Sequence, residues 1–313
     1  MKRKRTGFTP LEMKVSNRVS KRFLTGFTVV ELLTVVAIIA TLVAVLIPAF
    51  STVQRIAKET KQKAQLTAID LALVTFKNDY GDYPPSNWFT PPLFDYCGAQ
   101  KLTEALLGWD LRGFHPQSDF RANGRDNKGV FIYDPCNPVS LDQRKGPYLE
   151  LATTNAFRLS TSAPGRLDGL FDSSTMTSAS SPLAQNTFVL CDVFGVKPII
   201  IPGQKKVYAG APILYYKANV SSKNIDAPAF EDRIYNFRDN FPIVALRRLA
   251  DWGKPFQYRR EHRIGDANLF YDYIRDPKAA GRPWPYRPYS YLLISAGADG
   301  LYGTSDDIRN FGN

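Results

Sequence analysis

From Phe27 to Phe50 the chain is apolar at nearly every position, and Glu31 is the one ionisable residue in the stretch. Twenty-four residues at ~1.5 Å each make a helix of ~36 Å, enough to cross a hydrocarbon layer of ~30 Å. The pattern then changes twice. Residues 51–63 are mostly polar and basic, as suits a segment leaving a membrane. From Leu66 onward, Ile69, Ala72, Leu73, Phe76 and Tyr80 recur at i, i+3, i+4, i+7 and i+11, the spacing of one helical face, which is predicted to pack on a sheet. Gly81 and Pro84-Pro85 predict the helix end near Asn78–Gly81. Further on, the apolar and β-branched runs Thr187–Val193, Pro198–Ile201 and Ile213–Ala218 read as strands, with Tyr289–Ser295 as the last strand. Leu102–Leu107 and Pro242–Trp252 read as short helices, and Ser173–Ser181 as a loop or linker. No internal repeat is present.

Charge changes the reading of the N-terminus. The chain of 313 residues carries a formal net charge of +11, but residues 1–25 hold eight basic residues and the single acid Glu12. Most of the excess is therefore in front of the apolar run, where it sets topology: N-terminus in the cytoplasm, the remainder outside. The remaining +4 is unremarkable, and no nucleic-acid partner is expected. A cleaved secretory signal is the plain alternative, with Ala49-Phe50-Ser51 as a small-x-small site. The apolar run is longer than the ~7–15 residues of a signal-peptide core, which argues against it.

Glu31 is the anomaly. A carboxylate in a membrane helix costs roughly 2.5–3.5 kcal/mol if unpaired, so a partner is expected. An α-amino group created by cleavage at Gly26–Phe27 would supply one. Glu31 lies a full turn along the helix, so the two groups are expected to meet between neighbouring subunits, and that implies a polymer. Gly26-Phe27-Thr28-Val29-Val30-Glu31 followed by an apolar helix resembles the signal of type IV prepilins and type II secretion pseudopilins. The resemblance implies that a prepilin peptidase cleaves after Gly26 and methylates the amine of Phe27. It also implies that Glu31 guides docking of subunits and that the apolar helix forms the core of a helical filament. Pro48 stands where many pilins have a proline, and its missing N–H predicts a kink or local melting. The hexapeptide Gly7-Phe8-Thr9-Pro10-Leu11-Glu12 repeats the pattern, but polar residues follow it and cannot span a membrane.

The C-terminus carries a second signal. Ser295–Ile308 holds three carboxylates, Asp299, Asp306 and Asp307, and three glycines. Such a run can form an oxygen-rich cage, which suits Ca2+ rather than zinc and lacks EF-hand spacing. The stretch is similar to the calcium loop of the major pseudopilin, which implies those three aspartates as ligands, with backbone carbonyls such as Leu301 and Thr304 completing the set. A solvated acidic turn is the alternative. The Tyr-Gly-Asp-Tyr-Pro sequence at 80–84 also resembles the end of the long helix in that family.

The expected fold is therefore α+β and pilin-like: a long N-terminal helix, membrane-spanning in its first half, on a small antiparallel sheet. The expected organisation is a cleaved leader at 1–26, a filament-core helix at 27–50, its amphipathic continuation at 51–81 and a periplasmic domain at 82–313, with a loop-rich insertion at about 86–185. The resemblance implies a non-enzymatic pseudopilin in the bacterial inner membrane, added by an assembly platform to a short periplasmic filament that drives protein secretion. Its implied partners are further copies of itself, minor pseudopilins, prepilin peptidase and the bilayer, with Ca2+ and no organic cofactor. Alternatives are a type IV pilus subunit for adhesion or DNA uptake, or a signal-anchored enzyme or glycan binder. Tyr271, Tyr273, Trp284, Tyr286, Arg287, Tyr289 and Tyr291 mix aromatics with arginine as a ligand platform would, although Pro283 and Pro285 favour an ordered surface loop. His115 and His262 fit no metal or triad spacing. Cys97 and Cys136 are free to pair outside the cytoplasm, with Cys191 left as a buried thiol.

Overall fold

A computed structural model describes residues 28–87, 96–151, 154–173, 183–184, 186–200, 203, 205–279 and 281–312. The chain divides into two units, the first ending at Thr52 and the second running from Val53. Helix α1 (Val29–Tyr80) contributes to both.

In the first unit, α1 is the one helix among the described residues long and apolar enough to cross a membrane. It has no buried face: Val30, Leu33, Ile38, Leu42 and Leu46 are all more than half exposed. The helix runs through Pro48 without interruption, so the local melting expected there is not seen.

In the second unit α1 is amphipathic. Leu66, Ile69, Ala72, Leu73 and Phe76 are buried, as their spacing requires. The helix stops at Tyr80, where Gly81 takes φ +85° and its N–H caps the carbonyl of Lys77. The buried face belongs to one core with Tyr215, Tyr291 and Leu293 of a three-stranded antiparallel sheet, β5 (Leu214–Lys217), β6 (Tyr291–Ser295) and β7 (Ile308–Arg309). Polar contacts hold the same face, with Tyr291 Oη donating to Asp70 at 2.8 Å and Val193 N donating to Gln62 Oε1 at 2.9 Å.

Successive strand residues point to opposite faces. Leu214, Tyr216, Leu292 and Ile294 accordingly face away from α1 into a second core. That core includes Phe270 and Ile274 of helix α5 (Ala267–Ile274). Both sheet faces are covered, which is why β6 is buried along its whole length.

The stretch read as an insertion is part of this core. Helix α2 (Gly98–Leu107), longer than the segment predicted, is buried at all ten positions. It packs beside β5, whose outer edge is closed by side chains: Asn240 Nδ2 donates to Tyr215 O at 2.6 Å, and Lys217 N donates to Ser86 Oγ at 2.9 Å. Gly98 permits the approach, because a Cβ there would lie 2.2 Å from the Tyr215 carbonyl oxygen. Glu104, buried on α2, accepts hydroxyl hydrogen bonds from Tyr96, Ser118 and Tyr133, and so ties the loops of 108–140 to the helix. Helix α3 (Pro138–Asp142) is a single capped turn in that region.

Two small antiparallel pairings complete the sheets: β1 (Ala156–Arg158) with β2 (Phe188–Leu190), and β3 (Lys197–Ile199) with β4 (Val207–Ala209). The predicted strands are present but shorter. Tyr289–Ser295 is not the last strand, since β7 follows and pairs with it through Ile294↔Arg309. The helix predicted over Pro242–Trp252 is only one turn, α4 (Phe241–Val244), because Arg247 adopts φ +65° and breaks it. Most of Ser173–Ser181 lies outside the described residues.

Candidate functional site

Gly26 and Phe27 lie outside the described residues, so the first described part of the N-terminal signal is Thr28. There the sequence Thr-x-x-Glu forms a reciprocal cap. Thr28 N donates to Glu31 Oε2 at 2.9 Å, Thr28 Oγ1 donates to the same oxygen at 2.8 Å, and Glu31 N donates to Thr28 Oγ1 at 3.2 Å. Within its own chain the carboxylate thus holds the amide next to Phe27, a contact that the expectation of a partner from another subunit does not include. The Thr28–Glu31 spacing was the signal that could have revealed it.

The C-terminal acidic stretch is the connection between β6 and β7. Gly297, at φ +64°, turns the chain, and a Cβ there would lie 2.3 Å from the Asp306 carbonyl oxygen. The carboxylates face into the loop. Asp306 Oδ2 accepts from Asp299 N at 2.9 Å and its Oδ1 from Thr304 Oγ1 at 2.6 Å. Asp307 Oδ2 accepts from Gly303 N at 2.7 Å and from Tyr273 Oη at 2.5 Å. Asp299 Oδ1 accepts from Leu301 N at 2.7 Å, while Arg248 Nε donates to the Asp299 carbonyl at 2.5 Å. Burial, reinforced by the neighbouring Asp306 charge, pushes the Asp307 carboxyl up to about 7.

A fourth acid belongs to this surrounding. Asp192 is buried and accepts from Phe194 N, Ala211 N and Ser295 Oγ at 3.1–3.3 Å. Burial raises it to about 7, with Asp306 adding to the rise. Sequence reasoning does not single it out, because it ends an apolar run far from the acidic stretch. The donor set of the loop is all oxygen, which fits Ca2+ in chemistry. Among the described residues, however, no three acids, histidines or cysteines gather into a metal-holding group. Asp299 meets Asp306 through its backbone N–H, while its own Oδ1 is engaged by Leu301 N.

Asp192 gives a pH-dependent prediction. Its folded pKa of about 7 lies above the ordinary 3.8, so folding favours the protonated form. Its contribution to stability is greatest below about pH 4 and is lost as pH rises towards 7, by an amount on the order of 4 kcal/mol. Asp192→Asn keeps the acceptor for the two amides and removes the charge. Its melting temperature should therefore gain on the parent between pH 5 and pH 8; a constant difference across that range would show that Asp192 does not ionise there.

His115 and His262 are buried, each accepts a backbone N–H at Nδ1, and burial lowers both, His262 to about 4. All three cysteines are free thiols: Cys97 is buried at the start of α2 and Cys136 lies on an exposed turn, so the pairing considered for them is not formed. The aromatic run is not a platform. Tyr271 and Tyr291 are buried, Tyr273 bonds to Asp307, Trp284 and Tyr286 pack on the core, and Tyr289 alone of the tyrosines there is largely exposed. Comparison of the chain with protein-family models, with curated proteins and with solved structures gave no match.

Proposed function

We propose that this chain is a structural subunit of a pilin-like filament, and within that class a pseudopilin of a type II secretion apparatus. The observation that carries the reading is the first part of α1, a continuous apolar surface, exposed on all sides, whose one carboxylate sits in its first turn. Such a surface is unstable in water and requires either lipid or copies of itself. The sequence around it resembles the prepilin signal, and the amphipathic part of α1 packs on an antiparallel sheet, as expected of a pilin-like subunit. In this reading prepilin peptidase removes residues 1–26 and methylates Phe27. The subunit waits in the inner membrane with residues 82–313 in the periplasm, and an assembly platform then adds it to the filament. Ca2+, when bound, neutralises Asp306 and Asp307 at the β6–β7 connection, with Asp299 and the carbonyls of Leu301 and Thr304 as further oxygen donors.

The test uses two substitutions of Glu31. Glu31→Leu removes both the charge and the cap. Glu31→Gln keeps an acceptor for Thr28 N, and glutamine serves at this capping position. Membrane insertion should survive both changes, because a carboxylate leaves the bilayer. Filament assembly, followed by pelleting and electron microscopy, should fail or slow in both. Normal filaments from Glu31→Gln would reduce Glu31 to a helix cap and remove the docking role.

A further inference from the structure

A lysine is almost never fully buried unless it is paired with an acid. Lys101, on α2, is 2 % exposed and forms no ion pair among the described residues. Its ammonium donates instead to the side-chain oxygen of an amide, Asn87 Oδ1, at 2.8 Å. Two buried acids act on it through their charge, Asp239 and Glu104. Glu104 is fully occupied by the three hydroxyls that bond to it. Asp239 is not: it is 4 % exposed, and its Oδ1 has no hydrogen-bond partner among the described residues. A buried amine, a side-chain amide and a buried carboxyl with one oxygen to spare therefore stand together.

Three separate segments supply these groups, and each is fixed to the next. Ser86, the residue before Asn87, donates through Oγ to Asp239 Oδ2. Asn240, the residue after Asp239, accepts at Oδ1 from Ala99 N at 2.8 Å, two residues before Lys101. The start of α2 lies against both, since a Cβ on Gly98 would be 3.1 Å from Ser86 Cβ and 3.1 Å from Asn240 Nδ2. Asn87 and Asp239 also line one cavity, beside Lys217 and Asn219. Burial acts on the amine and the carboxyl in the same sense, by opposing charge. It lowers the Lys101 ammonium to about 8 and raises the Asp239 carboxyl to about 7. Near neutral pH a fraction of Lys101 is therefore the free amine, which is a nucleophile.

We propose that Lys101 and Asn87 become joined by an amide bond that the folded chain makes by itself. Lys101 Nζ, as the free amine, attacks Cγ of Asn87. The Nζ–Cγ bond forms, the Cγ–Nδ2 bond breaks, and Nδ2 leaves as ammonia. Asp239 carries the one proton that must pass from Nζ to Nδ2, and ends as it began. One amide replaces another, so the step needs no oxidant, reductant or activated co-reactant. The fold makes it feasible by holding the amine against the carboxamide, and the cavity lets the ammonia escape. The product is neutral, so it also removes the cost of a buried ammonium. The bond ties the stretch that follows α1 to the buried helix α2. This inference does not depend on the filament reading.

The experiment is mass spectrometry of the full chain purified in detergent, intact and then denatured and digested with trypsin. The intact chain should be lighter by one ammonia than its sequence. Trypsin should fail to cut after Lys101, and fragmentation should show a branched peptide joining Lys101 to Asn87. The branch separates this bond from ring closure at Asn87 alone, which also loses ammonia but leaves Lys101 open to trypsin. Lys101→Arg and Asn87→Ala should each restore the full mass. Asp239→Asn keeps an acceptor for Ser86 Oγ and should slow bond formation roughly a hundredfold, read as the linked fraction against time after synthesis begins. A parent chain of full mass, cut normally after Lys101, would overturn the proposal. Bond formation at the parental rate in Asp239→Asn would overturn the role given to Asp239.

Discussion

Gly26→Ala should leave the leader attached to nearly all of the protein, whereas the parent chain should begin with N-methylated Phe27. The expectation rests on the resemblance at Gly26–Glu31 and on the physics of the site. Residues 1–25 are strongly basic and residues 27–50 apolar, so the junction lies at a membrane surface, where a peptidase must reach the backbone itself. A side chain before the cut obstructs that approach, and glycine has none. The effect is close to all-or-none and is read by mass spectrometry of the intact chain. A mature N-terminus at Ser51 or beyond would identify a secretory signal and end the filament reading. One after Gly7 would move the signal to the first hexapeptide, which no apolar span follows.

Calcium should raise the melting temperature of the second unit. Asp306 and Asp307 are adjacent, and burial together with the Asp306 charge holds Asp307 up at about 7, so ionising both is costly without a cation. A ligand that binds only the folded state stabilises it by RT ln(1 + [Ca2+]/Kd), on the order of 2.7 kcal/mol at a hundredfold excess. Because Asp307 must lose its proton, the gain should be larger at pH 8 than at pH 5. Mg2+ should substitute poorly, since it requires a tight octahedron and keeps its water. Asp307→Asn retains an acceptor for Gly303 N and Tyr273 Oη while removing the charge, and should abolish most of the response, as should Asp299→Ala. Equal melting of the parent with Ca2+ and with chelator, at both pH values, would leave a loop closed by its own hydrogen bonds and nothing more.

Features that depend on one segment and its solvent are legible in the local order of residues. The apolar run of α1 and the buried face from Leu66 to Phe76 follow from local periodicity, and Gly81 ends the helix because only glycine takes its φ cheaply. The runs at 187–193, 213–218 and 289–295 show themselves as strands for the same reason. The Thr28–Glu31 cap is likewise local, set by a spacing of three residues.

Tertiary structure decided whatever required distant segments to meet. The sheet is buried on both faces only because α1 covers one and α5, some hundred and ninety residues later, helps to cover the other; α2 packs beside β5 and belongs to the core, whereas its turn-rich flanks read as a loose insertion. Strand β7 has two residues and no periodicity of its own, so its pairing with β6 creates it. Asp192 joins the acids of the β6–β7 connection across a hundred residues through Ser295. The aromatics from Tyr271 to Tyr291 look alike in sequence, but their partners differ, and the packing of each ring against its neighbours separates the buried ones from Tyr289. Residue type and spacing report what a segment prefers. Burial, partner and protonation state are properties of the surroundings, and those exist only once the chain has closed on itself.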